Sequence, residues 1–276
     1  MPWGTLYVVA TPLGNLADLS ERAREVLRTV QLLAAEDTRV SRTLLAHVGG
    51  HARMVSVHAH APATHTEQVL GALAAGRSVA LLSDAGTPGI SDPGATLARA
   101  ARAAGANVVA IPGPSAVVAA LSISGLAADR YAFLGLPPRA GGARGRLLDQ
   151  VAASEWTVVL FEAANRLAAL LGDLARCLGE EREAAVAREL TKVHEECRTG
   201  TLGALAGYYR EHPPKGEVTV IVAGRVAPPP SPDPEAARAR ARALLAAGET
   251  RRDVASRLAA ELAISRNAAY RLVTSL

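Results

Sequence analysis

Twelve residues, SDAGTPGISDPG at positions 83–94, combine the properties of a loop that touches a small ligand. Gly86 and Gly89 lack a Cβ and let backbone approach closely, while Pro88 and Pro93 hold that backbone stiff. Ser83, Asp84, Thr87 and Asp92 offer hydroxyls and carboxylates that hydrogen-bond the loop to itself or to a ligand's amine and hydroxyl groups. The stretch has no lysine or arginine, which disfavours a nucleotide polyphosphate and favours a cationic or zwitterionic ligand. Walker A and GxGxxG patterns are both absent, so an ATPase or a dehydrogenase is disfavoured. Two more turns share this character, TPLGN at 11–15 and PGPSA at 112–116.

Each of these turns follows a short apolar run, and such runs recur: TLYVVA (5–10), VQLLAA (30–35), SVALLS (78–83), NVVAIP (107–112), TVVLFE (157–162), AAVARE (184–189) and EVTVIVAG (217–224). Between them lie longer amphipathic, alanine-rich stretches. Buried strands alternating with helices predict an α/β fold with mainly parallel sheets. Ligands of such sheets bind outside the carboxyl ends of strands, where the three turns are expected to converge.

The expected organisation is an α/β lobe over 1–116, a second over 117–225, a proline-rich linker over 226–234 and a basic helical module over 235–276. GLPPRAGGARGR (135–146) reads as a hinge or mobile loop, either solvated or contacting a polyanion. In the last module, Thr250 with Asp253 forms a variant capping box, and Ser265 signals a further helix. Two short helices joined through residues 262–265 resemble a helix-turn-helix, with a plain helical hairpin as the alternative. The formal charge of +4 comes from this module, where eight arginines face four acidic residues, leaving 22 basic and 22 acidic residues elsewhere. A polyanion would be met partly through that tail.

Other classes are disfavoured. Cys177 and Cys197 have no CxxC spacing and read as reduced cytosolic thiols. His58 and His60 in VHAH share one strand face but lack a third ligand, so no metal site is expected. The N-terminal segment has no basic region before its apolar run and meets Pro12 and Gly14 too early for a signal peptide. The uncharged stretch 105–128 is long enough for a membrane span, but Pro112, Gly113, Pro114 and Gly125 divide it into strand, turn and buried helix.

TPLGNLADLSERA, AAEDTR, SDAGTPGISDPG, IPGPSAVVAALSISGL and ARELTKVHEE, in this order, resemble the tetrapyrrole methylase superfamily, in its branch that methylates small-subunit ribosomal RNA. The resemblance covers roughly residues 4–225. It implies a two-lobed fold, a homodimer, S-adenosylmethionine in the cleft between lobes, and 2′-O-methylation of a decoding-region cytidine of 16S rRNA in the small ribosomal subunit. Gly86, Thr87 and Pro88 stand where many members have Gly-Asp-Pro, which implies cofactor contacts from this stretch and Ile90. Pro12, Ser115, Ala116, Glu162, Leu190 and Val218 would complete that pocket. The usual Tyr-Glu-Ser appears as Phe161-Glu162-Ala163, keeping the carboxylate and losing two hydroxyls.

Methyl transfer to a hydroxyl needs positioning and an outlet for a proton. Glu36 or Asp37 is the candidate to accept or orient that proton, Arg39 to hold a neighbouring phosphate, and Lys192 to stabilise the forming alkoxide, with Glu189 beside it. The structural alternative is a salt-bridged strand cap for Glu36, Asp37 and Arg39, with Lys192 paired to Glu195. Two other functions stay open: C-methylation of a tetrapyrrole, and a DNA-binding regulator with a ligand-sensing body. The arginine-rich tail and the 135–146 segment favour RNA over a tetrapyrrole, and the converging turns count against a regulator.

Overall fold

The computed structural model describes residues 2–58, 61–92, 94–225, 234–262 and 264–276. The chain forms two compact units, Met1–Arg225 and Val226–Leu276. The first opens with β1 (Thr5–Val9), α1 (Glu21–Thr29), β2 (Leu32–Ala35), α2 (Thr38–Val48), β3 (Arg53–Ser56), α3 (Ala63–Ala74), β4 (Val79–Leu82), α4 (Gly94–Ala103), β5 (Asn107–Ile111) and α5 (Ala116–Ser124). All strand pairs here are parallel, in the order β3-β2-β4-β1-β5. Apolar clusters cover both faces, Leu6, Val55, Leu73 and Leu97 on one, Val9, Leu27, Leu33 and Leu45 on the other. That double cover explains why β2 and β4 are continuously buried rather than alternating.

The chain then crosses to a second sheet through α5, which lays Val117, Ala120 and Leu121 against Val159, Ala185 and Ile221. That sheet is made by β6 (Tyr131–Phe133), β7 (Thr157–Ala163), β8 (Glu183–Arg188), β9 (Glu196–Thr201) and β10 (Glu217–Val222), in the order β6-β7-β10-β8-β9. The helices α6 (Gly141–Ala153), α7 (Leu167–Leu178) and α8 (Leu202–Glu211) lie between these strands in the chain. Over both sheets, among the described residues, five strand pairs are parallel and three antiparallel, so the pairing is mainly parallel as expected, and the departures are all in this second sheet. There only β6 and β7 pair in parallel, while β7–β10, β10–β8 and β8–β9 are antiparallel. Residues 189–195, which join β8 to β9, are too few for a parallel crossover.

The segment 135–146 is also not one loop, because α6 starts at Gly141 and Arg144 is held by Asp173 at 2.7 Å. It follows β6, inside the second sheet's part of the chain. The uncharged stretch 105–128 does divide into β5, a turn and α5. Among the described residues no helix is long and apolar enough to cross a membrane.

The second unit consists, among its described residues, of α9 (Pro234–Ala246), α10 (Arg251–Glu261) and α11 (Arg266–Thr274) around Ala241, Leu244, Val254, Leu258, Ala269 and Val273. The Thr250 hydroxyl accepts from the Asp253 amide at 3.3 Å, the N-cap half of a capping box, and donates to Asp253 Oδ2 at 2.6 Å, so aspartate meets the cap through its hydroxyl rather than its backbone amide. Ser265 caps α11 by accepting from the Ala268 amide. Of the proline-rich linker, residues 226–233 lie outside the described residues, and α9 begins at Pro234. His60 and Pro93 also lie outside them, and His58 falls beyond the end of β3.

Candidate active site

The turns at 11–15, 83–94 and 112–116 follow β1, β4 and β5, which are adjacent in the first sheet, so they emerge side by side. They are also bonded together. The Thr11 amide donates to the Gly86 carbonyl at 2.8 Å, the Gly86 amide returns to the Thr11 carbonyl at 3.1 Å, and the Thr11 hydroxyl reaches the Ser83 carbonyl at 3.2 Å. The Thr87 hydroxyl donates to the Pro114 carbonyl at 3.0 Å, tying the second turn to the third. Gly86 holds φ at +80°, the left-handed region that a side chain disfavours. Asp92 fastens the far end, its carboxylate accepting from the amides of Gly89 at 2.8 Å and Gly94 at 2.7 Å.

These turns face the second sheet across a cavity of about 460 Å³. It takes in Ser115, Ala116 and Val117 from the start of α5, Phe161 and Glu162 from β7, Leu190 and Lys192 from the β8–β9 connection, and Val218 from β10. Six carboxylates line it, those of Glu36, Asp84, Asp92, Glu162, Glu189 and Glu217, against one lysine, Lys192. Such a wall favours a cationic ligand.

The Glu162 side chain is fully buried. One oxygen accepts from the Ala163 amide at 2.9 Å and pairs with Arg166 at 3.2 Å, and the other has no partner among the described residues. A buried carboxylate oxygen on a cavity wall is an acceptor waiting for a donor. Glu36 lies at the end of β2, and its carboxyl titrates above the ordinary value of 4.5, through burial first and then repulsion from Asp84 and Asp92. A raised carboxylate pKa suits a proton acceptor at neutral pH.

Lys192 pairs with Glu189 at 2.9 Å. This differs from the Glu195 partner weighed in the structural alternative, since Glu195 instead accepts from the Thr191 amide. The lysine stem crosses the first turn at Gly14, where a Cβ would run into Lys192 Cγ. Glu189 and Thr191 both have positive φ, 50° and 66°, and the Thr191 hydroxyl is buried without a partner among the described residues. For a β-branched residue that conformation is strained.

Of the site residues expected from sequence, Gly86, Thr87, Ile90, Ser115, Ala116, Glu162, Leu190, Val218, Glu36 and Lys192 line this one cavity. Pro12, Pro88, Asp37 and Arg39 do not. Asp37 caps α2, accepting from the Arg39 amide, and its carboxylate holds the Arg39 guanidinium at 2.6 Å. That hydrogen-bonded pair lowers the Asp37 carboxyl to about 2. Leu13, Leu136, Glu217 and Thr219 also line the cavity and were not anticipated. Glu217 and Thr219 flank Val218 on β10 and follow from knowing that this strand end reaches the site, but nothing in the sequence marks Leu136.

The chain matches the family described as Tetrapyrrole (Corrin/Porphyrin) Methylases over residues 5–206. A curated protein of Synechocystis sp. named "Ribosomal RNA small subunit methyltransferase I" is 45% identical over 274 residues, spanning 99% of this chain and 98% of that one. The protein of the same name from Escherichia coli O157:H7 is 43% identical, spanning 81% of this chain and 79% of its own. Among solved structures, uroporphyrin-III-C-methyltransferase from Thermus thermophilus superposes with TM-score 0.56 at 25% identity, over 79% of this chain and 94% of that one. A cobalt precorrin-4 methyltransferase reaches TM-score 0.61 at 15% identity over the same shares, a likeness of fold.

Proposed function

The chain belongs to the tetrapyrrole (corrin/porphyrin) methylase family, and from that premise we propose that it methylates small-subunit ribosomal RNA from S-adenosylmethionine, at the 2′-hydroxyl of a decoding-region cytidine. The observation that carries the donor is the acidic cavity with the unpartnered Glu162 oxygen on its wall. When bound, S-adenosylmethionine supplies a methyl group activated by a sulfonium charge, and it also carries an ammonium and an exocyclic amine. Glu162 and the other carboxylates suit those cationic and donor groups. The Gly86 backbone brings its edge close to the ligand, and Ile90, Leu190 and Val218 supply apolar contact. Pro12 and Pro88 then act by stiffening the turns that carry the contacts.

In this reading Glu36 takes or orients the proton of the acceptor hydroxyl, and the Lys192 ammonium stabilises the negative charge on that oxygen. Asp37 and Arg39 act beside them, Arg39 offering an exposed guanidinium to a neighbouring phosphate while Asp37 holds it in place. The RNA acceptor is supported by the names of the relatives and by the C-terminal unit. Its Arg238, Arg242, Arg251, Arg252, Arg266 and Arg271 are exposed and form no ion pair among the described residues. Free arginines of this kind are what phosphate contacts require. We take the working form to be a homodimer in the cytosol.

Labelled S-adenosylmethionine offered in parallel to unmodified small ribosomal subunits, naked 16S rRNA and a tetrapyrrole precursor tests the reading. Label is expected on the RNA, at one nucleotide that then resists alkaline cleavage. Label on the tetrapyrrole alone would overturn it.

A further inference from the structure

A second cavity, of about 560 Å³, opens beside the end of α8 and meets the first at Glu189, which lines both. Its carboxylates are already answered. Glu189 holds Lys192, and Glu196 holds Arg188 at 2.6 Å and Arg198 at 3.0 Å. Its cation Lys215 forms no ion pair among the described residues, and His194 lines the same space. The lining sets Arg188 and Lys215 against Glu189 and Glu196, a formal balance of zero beside the strongly acidic neighbouring cavity, and Lys215 is the charge left without an ionic partner among the described residues.

It is also aromatic. The Tyr208 and His212 rings stack with centroids 4.4 Å apart and planes 14° from parallel, and the Arg198 guanidinium lies over the Tyr208 ring 3.7 Å from its centroid, so both Tyr208 faces are covered and His212 ends the stack. His212 Nδ1 lies 3.1 Å from the Tyr208 carbonyl, an acceptor, so Nδ1 is the donor of that contact and fixes the ring's orientation. Tyr209 is 2% exposed, belongs to the core of the second sheet and lines this cavity. Its hydroxyl has no partner among the described residues. Burial pushes that phenol up to about 12, so it remains a donor at any working pH. Buried donors are seldom left unanswered in a native structure, and one lining a cavity points to a ligand acceptor.

We propose that this cavity holds one nucleotide of the RNA strand that carries the methyl acceptor, its base against the His212 ring at the end of the Arg198–Tyr208–His212 stack, its phosphate at Lys215 and His194, and one of its acceptor atoms taking the Tyr209 hydroxyl. A flat aromatic ring with a cation beside it is the usual chemistry for an unstacked nucleotide. The volume lies within the ordinary range of small-ligand pockets. Contact through Glu189 makes the nucleotide a neighbour of the acceptor in the strand. This inference rests on the RNA reading given above.

The test uses the full chain with Tyr209→Phe and Lys215→Ala. KM for RNA, its salt dependence, S-adenosylmethionine affinity and Tm are measured for each. Lys215→Ala should raise the RNA KM about tenfold and reduce the slope of log affinity against log salt by about one. Tyr209→Phe should raise that KM several-fold while Tm stays level or rises, because an unpartnered buried hydroxyl has been removed. Affinity for S-adenosylmethionine should be unchanged in both. Wild-type KM and salt slope in both variants, in an enzyme that methylates RNA, would overturn the inference and leave the RNA reading standing, as would a Tyr209→Phe effect confined to Tm. A wild-type protein that methylates no RNA would remove both.

Discussion

On one side of Glu189 the cavity at the strand ends sets six carboxylates against Lys192, and on the other the cavity beside α8 has both of its carboxylates ion-paired and leaves Lys215, His194 and the His212 ring stacked on Tyr208. The first is built where loops of a parallel sheet meet the second lobe, the second entirely within the antiparallel part of the chain. Under the proposed function, the difference gives a cationic donor and a polyanionic acceptor separate places in one protein. An acidic wall concentrates the cation and repels phosphate, so the strand's phosphates must be met outside that wall. Glu189 and Lys192, paired at 2.9 Å on a backbone with positive φ at Glu189, form the boundary between the two fields.

The acidic side should break most sharply at Glu36. Glu36→Gln is expected to lower kcat by about 10³-fold with donor affinity preserved, measured in single turnover beside calorimetric binding. Its raised pKa fixes the direction with pH. The proton acceptor must be ionised, so activity falls as pH drops through a value above 4.5, and that limb disappears in the variant. The same shift means that stability from Glu36 is present at low pH and lost as pH rises through its folded pKa. Glu36→Gln should therefore raise Tm at neutral pH.

Next in size is Asp92→Ala, which deprives the Gly89 and Gly94 amides of their acceptor and should weaken donor binding about 10²-fold, with a smaller loss in Tm. The boundary itself can be moved from the first turn. Gly14→Ala places a methyl where the Lys192 stem lies, and because that stem is flexible the fold should tolerate it. We expect kcat to fall roughly tenfold, in the direction of Lys192→Ala, with Tm almost unchanged. A wild-type kcat for both variants would show that the lysine has no part in the reaction.

Asp37→Asn should do least. Asparagine also caps a helix, so α2 survives and only the exposed pair with Arg39 is lost. With the Asp37 carboxyl held near 2, its contribution is present above the ordinary aspartate range and lost as pH falls toward 2, so wild type and variant should converge in Tm in acid. A loss of activity as large as that of Glu36→Gln would return Asp37 to the centre of the chemistry.

Several of these elements were legible from local pattern. The seven apolar runs all became strands, most plainly where both faces are covered, as in β2 and β4, and the strand must be continuously apolar. Thr250 with Asp253 and Ser265 capped the helices they announced, since capping is a contact within four residues. The strands β3, β6 and β9 were missed. Each lies at a sheet edge, and β9, ECRTGT, has too little apolar content to stand out.

By itself the sequence determined the class of the fold, the three turns and the chemistry their glycines, prolines and carboxylates favour, because backbone freedom and hydrogen-bonding capacity are properties of the residues themselves. Only the tertiary structure decided which charges share a cavity. Glu36 faces Asp84 and Asp92 while its neighbour Asp37 turns to Arg39, and Lys192 chooses Glu189 over Glu195. It likewise decided that the second sheet is mostly antiparallel and that Tyr209 is buried with its hydroxyl unanswered among the described residues. These outcomes depend on distances between residues far apart in the chain, which packing sets and local pattern does not encode.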